Sequence, residues 1–192
     1  MGKNSQNVLV LLGSPRKDGS SAFLARELAE GARSAGAEVE EVAIQDLAIR
    51  PCTACEGCHR KGGRGCVIED DMGPLYGKLS RADAIVFASP IYWFTFSAQT
   101  KLVIDRLYAF EGPEGNALRG KRIGILLTYG DRDPVRSGAV NALRTFEDMF
   151  RYIGAEIVGR VYGTGFDPKE VGATEDLARE ARELGVKLAQ AA

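Results

Sequence analysis

Apolar runs short enough for strands alternate along the chain with stretches whose apolar residues recur at helical spacing. Val8–Leu12, Ala84–Ala88 and Arg122–Thr128 are dominated by Val, Ile, Leu, Phe and Ala, the pattern of strands buried on both faces of a sheet. Glu38–Ile44 sets Val39, Val42 and Ile44 among acids, which suits a strand near a sheet edge. Ile157–Tyr162 reads as a fifth strand. Between them, Ala22–Ala35 repeats an apolar face at Phe23/Leu24, Leu28 and Ala32, with Gly36 placed to end it. Asp70-Asp71 stands as the cap of a helix through Leu79. Ser97 to about Phe110 forms another, with Lys101 and Asp105 spaced for an i,i+4 pair. Asp133-Pro134 is a helix start, followed by Val140, Leu143, Phe146, Phe150 and Ile153 on one face. Leu177, Ala181, Leu184 and Leu188 mark the last helix. A strand–helix alternation repeated five times predicts a doubly wound α/β fold with a five-stranded parallel sheet in the order 2-1-3-4-5.

At 192 residues one domain, residues 1–192, is expected, and there is no internal repeat or linker. Lys and Arg total 25 against 26 Asp and Glu. That balance argues against a nucleic-acid partner, which needs a basic face, and against a strongly acidic electron carrier. No apolar run approaches the roughly 18 residues of a membrane helix, and the MGKNSQN start lacks an apolar signal region. No membrane association and a cytoplasmic location are expected. The single histidine, His59, excludes a Ser/His/Asp triad, and no catalytic side chain is assigned. Arg119, Lys121 and Arg122 read as a solvated basic group at a strand start.

Chemistry concentrates in two places. The first strand runs into Ser14-Pro15-Arg16-Lys17-Asp18-Gly19-Ser20-Ser21 and then a helix start. Free first-turn N–H groups, the helix dipole, hydroxyls and Arg16 make an anion cradle there. The bland alternative is a turn with a Ser cap. G-x-G-x-x-G and G-x-x-x-x-G-K-[ST] are both absent, so Ser14, Arg16, Gly19, Ser20 and Ser21 suit a terminal monophosphate such as that of FMN. In a doubly wound sheet, ligands lie beyond the carboxyl ends of the strands. That edge would also carry Pro90, Ile91, Tyr92, Trp93 and Phe94 after the third strand and Thr128, Tyr129 and Gly130 after the fourth. A flat aromatic ring fits such loops; aromatics that merely cover the core are the alternative.

The second place is the loop 50–69 after strand two. All four cysteines, Cys52, Cys55, Cys58 and Cys66, fall there as C-x2-C-x2-C-x7-C. Four thiolates so crowded suit a [4Fe–4S] cluster. Zinc, on four thiolates or three with His59, is an alternative, as are free or disulfide-linked thiols. Arg60, Lys61 and Arg64 could offset a cluster's charge, and Gly57, Gly62, Gly63 and Gly65 let the loop curl. Asp70-Asp71 reads as a cap rather than a metal site.

The strings GSPRKDGSS and SPIYWFTFSAQTKLVIDR resemble those of the flavodoxin-like NAD(P)H-dependent FMN reductases. The cysteine spacing, together with Asp70-Asp71-Met72 and Lys101…Asp105-Arg106, resembles that family's iron–sulfur flavoprotein branch. The resemblance implies a flavodoxin-like fold and FMN as cofactor. It also implies NAD(P)H as co-substrate, an acceptor such as a flavin or quinone, and a homodimer or homotetramer. Two other readings stay open: a non-enzymatic iron–sulfur flavoprotein trading electrons with ferredoxin, and a cluster-free NAD(P)H:quinone or FMN reductase.

Overall fold

The computed structural model describes residues 5–60, 65–165 and 175–190. Along them run β1 Asn7–Leu12, α1 Ser20–Ser34, β2 Glu38–Ala43, α2 Met72–Arg81, β3 Ala84–Tyr92, β4 Thr95–Phe96, α3 Ala98–Arg106, β5 Arg122–Tyr129, α4 Ala139–Ile153, β6 Glu156–Thr164 and α5 Glu175–Leu188. The parallel sheet runs β2-β1-β3-β5-β6, and β4 lies off this path, paired with β3. The sheet thus has six strands rather than five. The expected third strand ended at Ala88, but Ser89 and Pro90 still pair with Leu127 and Thr128 of β5. The chain then folds back on itself, with Tyr92 opposite Thr95 in antiparallel register.

The alternation of side chains along buried strands builds two cores. Leu9, Leu11, Ile85, Phe87, Ile123, Ile125 and Leu127 face Met72, Leu75 and Leu79 of α2, Val103 of α3, and Phe146 and Phe150 of α4. Val8, Val10, Val86, Ala88 and Leu126 face Leu24, Leu28 and Ala32 of α1 and Ala181, Leu184 and Leu188 of α5. Among the described residues, no helix is long and apolar enough to cross a membrane.

Three local expectations are corrected. α4 starts at Ala139, not Asp133. The acids there form local turns instead: Asp131 accepts from the Asp133 amide at 3.0 Å and Asp133 from the Val135 amide at 2.7 Å. Side chains that satisfy the backbone in this way compete with a helix. In the basic group at the start of β5, Arg119 is exposed as expected, but Lys121 and Arg122 are half-buried and bonded. Lys121 donates to the carbonyls of Ser80 and Ala82 at 2.8 and 2.5 Å, and Arg122 donates to those of Leu188 and Gln190. Burial lowers the Lys121 pKa. The helix beginning at Ser97 stops at Arg106 and tightens into a 3-10 turn over Leu107–Phe110. Its Lys101–Asp105 pair is formed as expected.

Candidate active site

Three chain segments meet at the carboxyl edge of the sheet, where β1 and β3 part to opposite sides. They enclose a cleft of about 270 Å³ lined by Ser14, Arg16, Gly19, Ser20, Ser21, Pro90, Ile91, Tyr92, Thr128, Tyr129, Gly130 and Gly165. Each wall follows from local chemistry. Gly13 leaves β1 with its amide donating to the Ala88 carbonyl at 2.8 Å. Its own carbonyl accepts from the Ser97 hydroxyl at 2.6 Å. A Cβ on Gly13 would stand 1.9 Å from Thr100 Oγ1, so the chain closes this tightly only without a side chain. Ser14 Oγ then accepts from the Arg16 amide at 3.0 Å, turning the loop toward α1. Gly19 caps α1 with no capping side chain. The first-turn amides are left facing the cleft's ligand space beside the buried Ser20 and Ser21, an anion site by construction. The alternative of a turn with a Ser cap is not what forms, since the cap is Gly19.

The opposite wall is the end of β3. Trp93 and Phe94 form a two-residue hairpin turn with φ of +48° and +70°, a backbone usually given to Asn and Gly. Bulky residues there carry strain, which persists only when the surroundings enforce it. Here α4 enforces it. Asn141 Nδ2 donates to the Phe94 carbonyl at 3.2 Å. Gly138, itself at φ +80°, approaches so closely that a Cβ would meet Phe94 Cα at 2.4 Å. Tyr92 is 42% and Trp93 92% exposed. Behind the wall, the Ser97 amide donates to the fully buried Ser89 hydroxyl at 3.0 Å. The floor is Thr128 and Tyr129, both buried. Burial, helped by Tyr162 and Asp133, pushes the Tyr129 phenol up.

A second cleft of about 250 Å³ sits at the other end of the sheet, between the starts of β1 and β2 and the end of α2. Its Lys78 is already paired with Glu40 at 2.5 Å, and it lies on the edge that doubly wound sheets do not use for ligands.

The cysteine segment is closed at its base. The Arg106 side chain, 0% exposed, pairs with Asp70, 3% exposed, at 2.7 Å. Asp70 therefore does more than cap α2, although its Oδ1 does accept from the Met72 amide at 3.0 Å. Burial raises the Asp70 pKa, but the Arg106 guanidinium and the amides of Arg50 and Met72 outweigh it and hold the carboxyl below its ordinary value. Within the segment, Ala54 and Glu56 adopt φ of +51° and +55°. The His59 ring packs tilted against that of Tyr108, at 4.5 Å between ring centres, and donates to its carbonyl at 3.2 Å. Cys52 and Cys55 are exposed, Cys58 and Cys66 half-buried. Burial pushes the Cys58 thiol up, with Cys66, Glu56 and Cys52 adding to it. The Gly57 amide and the Thr53 hydroxyl bring the Cys55 thiol down. Among the described residues, no three His, Cys, Asp or Glu side chains gather as a metal site. Lys61, Gly62, Gly63 and Arg64 lie outside the described residues.

Residues 6–168 match the family of NADPH-dependent FMN reductases. The chain belongs to that family. An iron-sulfur flavoprotein of Archaeoglobus fulgidus is 36% identical over 186 residues, covering 94% of this chain and 78% of its own. An iron-sulfur flavoprotein of Methanocaldococcus jannaschii is 29% identical over 95% of each chain. The solved NAD(P)H:quinone oxidoreductase from Methanothermobacter marburgensis shares the fold, with a TM-score of 0.79 at 21% identity over 98% of both chains.

This FMN reductase is thus an NAD(P)H-dependent oxidoreductase, and its cleft gathers every residue expected for the flavin except Trp93 and Phe94, which shape the hairpin beside it. Gly165 was missed by sequence reasoning. It follows β6, and its amide donates to the Tyr129 carbonyl at 2.9 Å; the adjacency of the last two strands was the available signal. Arg16 lines the cleft from its exposed rim. Arg16→Ala should weaken FMN binding by about 1–3 kcal/mol, the scale of a charge-assisted hydrogen bond. Fluorescence titration of the apoprotein measures this, and an unchanged Kd would remove Arg16 from the cradle.

Proposed function

We propose that residues 1–192 form one FMN-binding domain that takes reducing equivalents from NAD(P)H and passes them to a small acceptor such as a quinone or flavin, or to a redox protein. The carrying observation is the convergence of the Ser14–Ser21, Pro90–Tyr92 and Thr128–Gly130 segments on one cleft. The open α1 amides and the hydroxyls of Ser14, Ser20 and Ser21 fit a phosphate, and the broad wall of Pro90, Ile91 and Tyr92 fits a flat ring. Bound FMN supplies hydride acceptance and the release of electrons singly. The chain's part is to hold the phosphate, keep one ring face open to the nicotinamide, and exclude water beneath it with Thr128 and Tyr129. The working form is a cytoplasmic homodimer or homotetramer; the exposed Trp93 and Phe94 beside the cleft support subunit association.

The finer reading is that Cys52, Cys55, Cys58 and Cys66 hold a [4Fe–4S] cluster. The donor chemistry fits, since all four thiols lie in one short segment whose two ends are joined by Arg106 and Asp70. Such a cluster supplies one-electron transfer. Cys55→Ala should remove the broad iron–sulfur absorption while FMN stays bound. Anaerobically purified protein should carry about four irons per subunit, the complement of this cluster; FMN with less than about one iron rules it out. The ungathered thiols favour a second reading, a cluster-free NAD(P)H:quinone or FMN reductase, and the iron analysis decides between them.

A further inference from the structure

We propose that Arg106 is the positioning residue of the cysteine site: its buried guanidinium latches both ends of the cysteine-bearing segment to the end of α3, and α3 fixes that segment relative to the flavin cleft. The inference rests on the reading of the cysteines as a functional site.

The geometry is specific. Arg106 Nη1 donates to the Arg50 carbonyl at 2.8 Å and to Asp70 at 2.7 Å. Nη2 donates to the Ile68 carbonyl at 3.4 Å and to the other Asp70 oxygen at 3.2 Å. Arg50 lies two residues before Cys52 and Ile68 two residues after Cys66, so one planar group spans the two strands of the loop's stem. Asp70 closes the same stem by accepting from the Arg50 amide at 2.9 Å, and Asp71 accepts from the Ala48 amide at 2.7 Å. All four Nη hydrogens are spent, while the buried Nε has no partner among the described residues. An apolar side chain would fill this place without the cost of burying a charge. What only Arg supplies is a fork that reaches two carbonyls and a carboxylate at once.

The other end of α3 is fastened to the cleft. Ser97 caps it, accepting from the Thr100 amide at 3.2 Å, and donates to Gly13 where the phosphate loop begins. A helix rises about 1.5 Å per residue, so Ala98–Arg106 is a strut of roughly 13 Å between latch and cradle. Beyond the latch, Tyr108 receives His59 on its carbonyl and donates to Glu56 at 3.2 Å. The end of α3 and the turn that follows it thus hold the cysteine segment at its stem, through Arg50 and Ile68, and within it, through Glu56 and His59.

The test is cysteine alkylation of the iron-free, FMN-loaded protein by iodoacetamide, with each cysteine followed by mass spectrometry. In the wild type, the half-buried Cys58 and Cys66 should react more slowly than the exposed Cys52 and Cys55. Arg106→Lys keeps the charge but cannot span both carbonyls. It should speed Cys58 and Cys66 by about tenfold, since local opening governs access to protected thiols, and Arg106→Gln should speed them further. The FMN Kd should stay within about twofold, because the cleft is tied through Ser97 and not through Arg106. The proposal is overturned if folded Arg106→Lys keeps wild-type rates, or if all four thiols and the FMN Kd change together. It also fails if neither Arg106 variant folds, since a positioning residue must leave the sheet able to form. Labelling without iron keeps this result independent of whether the thiols take a cluster, which the iron content reports.

Discussion

Asp70→Ala lowers stability by about 3–5 kcal/mol, the cost of leaving a buried charge without its partner. The Arg106 side chain is wholly buried, so it cannot turn to water for compensation. The Arg50 and Met72 amides lose their acceptor in the same change. In a chain of this length the melting temperature should fall by about 6–20 °C. The effect depends on pH in a definite direction. The folded-state pKa of Asp70 is depressed, so its contribution is fully present above the unfolded-state value of about 3.9 and is lost as pH falls through the folded value. The charged group facing the carboxylate is Arg106, with Tyr76 and Cys66 beside the guanidinium; burial pushes the Tyr76 phenol up to about 12. The gap between wild type and Asp70→Ala should therefore be widest at neutral pH and begin to close only below about pH 4. Denaturant unfolding of the FMN-loaded protein across that range measures it. A gap that is small at pH 7, or constant with pH, would mean that the pair does not hold the fold.

The second large effect lies on the opposite face of the sheet. Gly185→Ala is expected to cost about 1–3 kcal/mol through overpacking. α5 and α1 meet backbone to backbone: a Cβ on Gly185 would stand 2.0 Å from the Leu28 carbonyl oxygen and 2.8 Å from the Ala32 amide. Gly31 offers the reciprocal contact, with a Cβ 2.1 Å from the Arg182 carbonyl oxygen. Neither helix can yield inward. Leu184 and Leu188 of α5 already fill the spaces above Gly159 and Gly124, where a Cβ would lie 2.7 and 2.9 Å from them. α5 must lift, opening a gap over β5 and β6. Gly77→Ala in the middle of α2 is the matched control. Only the flexible end of the Arg81 side chain lies near its Cβ position, at 3.3 Å, so the gain in helix propensity should stabilise by about 0.5–1 kcal/mol. Urea unfolding of the two variants should give opposite signs; a neutral Gly185→Ala would show that the helices are not in close register.

The strands and helices were legible in the sequence because buried parallel strands and amphipathic helices write their periods directly into the chain. Val8–Leu12 and Ala84–Ala88 announce themselves by unbroken apolar residues, and Leu177, Ala181, Leu184 and Leu188 by helical spacing. The cleft was legible for the same reason: once βα order is known, the loops after β1, β3 and β5 must share an edge. Local chemistry that competes with the period was not. The side chains of Asp131 and Asp133 serve their own backbone and delay α4 to Ala139, and the hairpin at Trp93-Phe94 carries aromatics where turn rules call for Asn or Gly. That conformation depends on Gly138 and Asn141, far along the chain.

By itself, then, the sequence determined the parallel part of the sheet, though not β4, together with the edge that carries the cleft and the residue types on it, because those depend on short-range pattern and on strand order. Only the tertiary structure decided what the charges do. Asp70 and Arg106 stand 36 residues apart, and each alone reads as an ordinary cap or surface residue. Their burial together, across the stem of the cysteine segment, is a property of packing α2 and α3 on one face of the sheet. The cost of burying a charge makes such a pair depend on both partners and on the backbone groups around them, and no local spacing in the sequence encodes that arrangement.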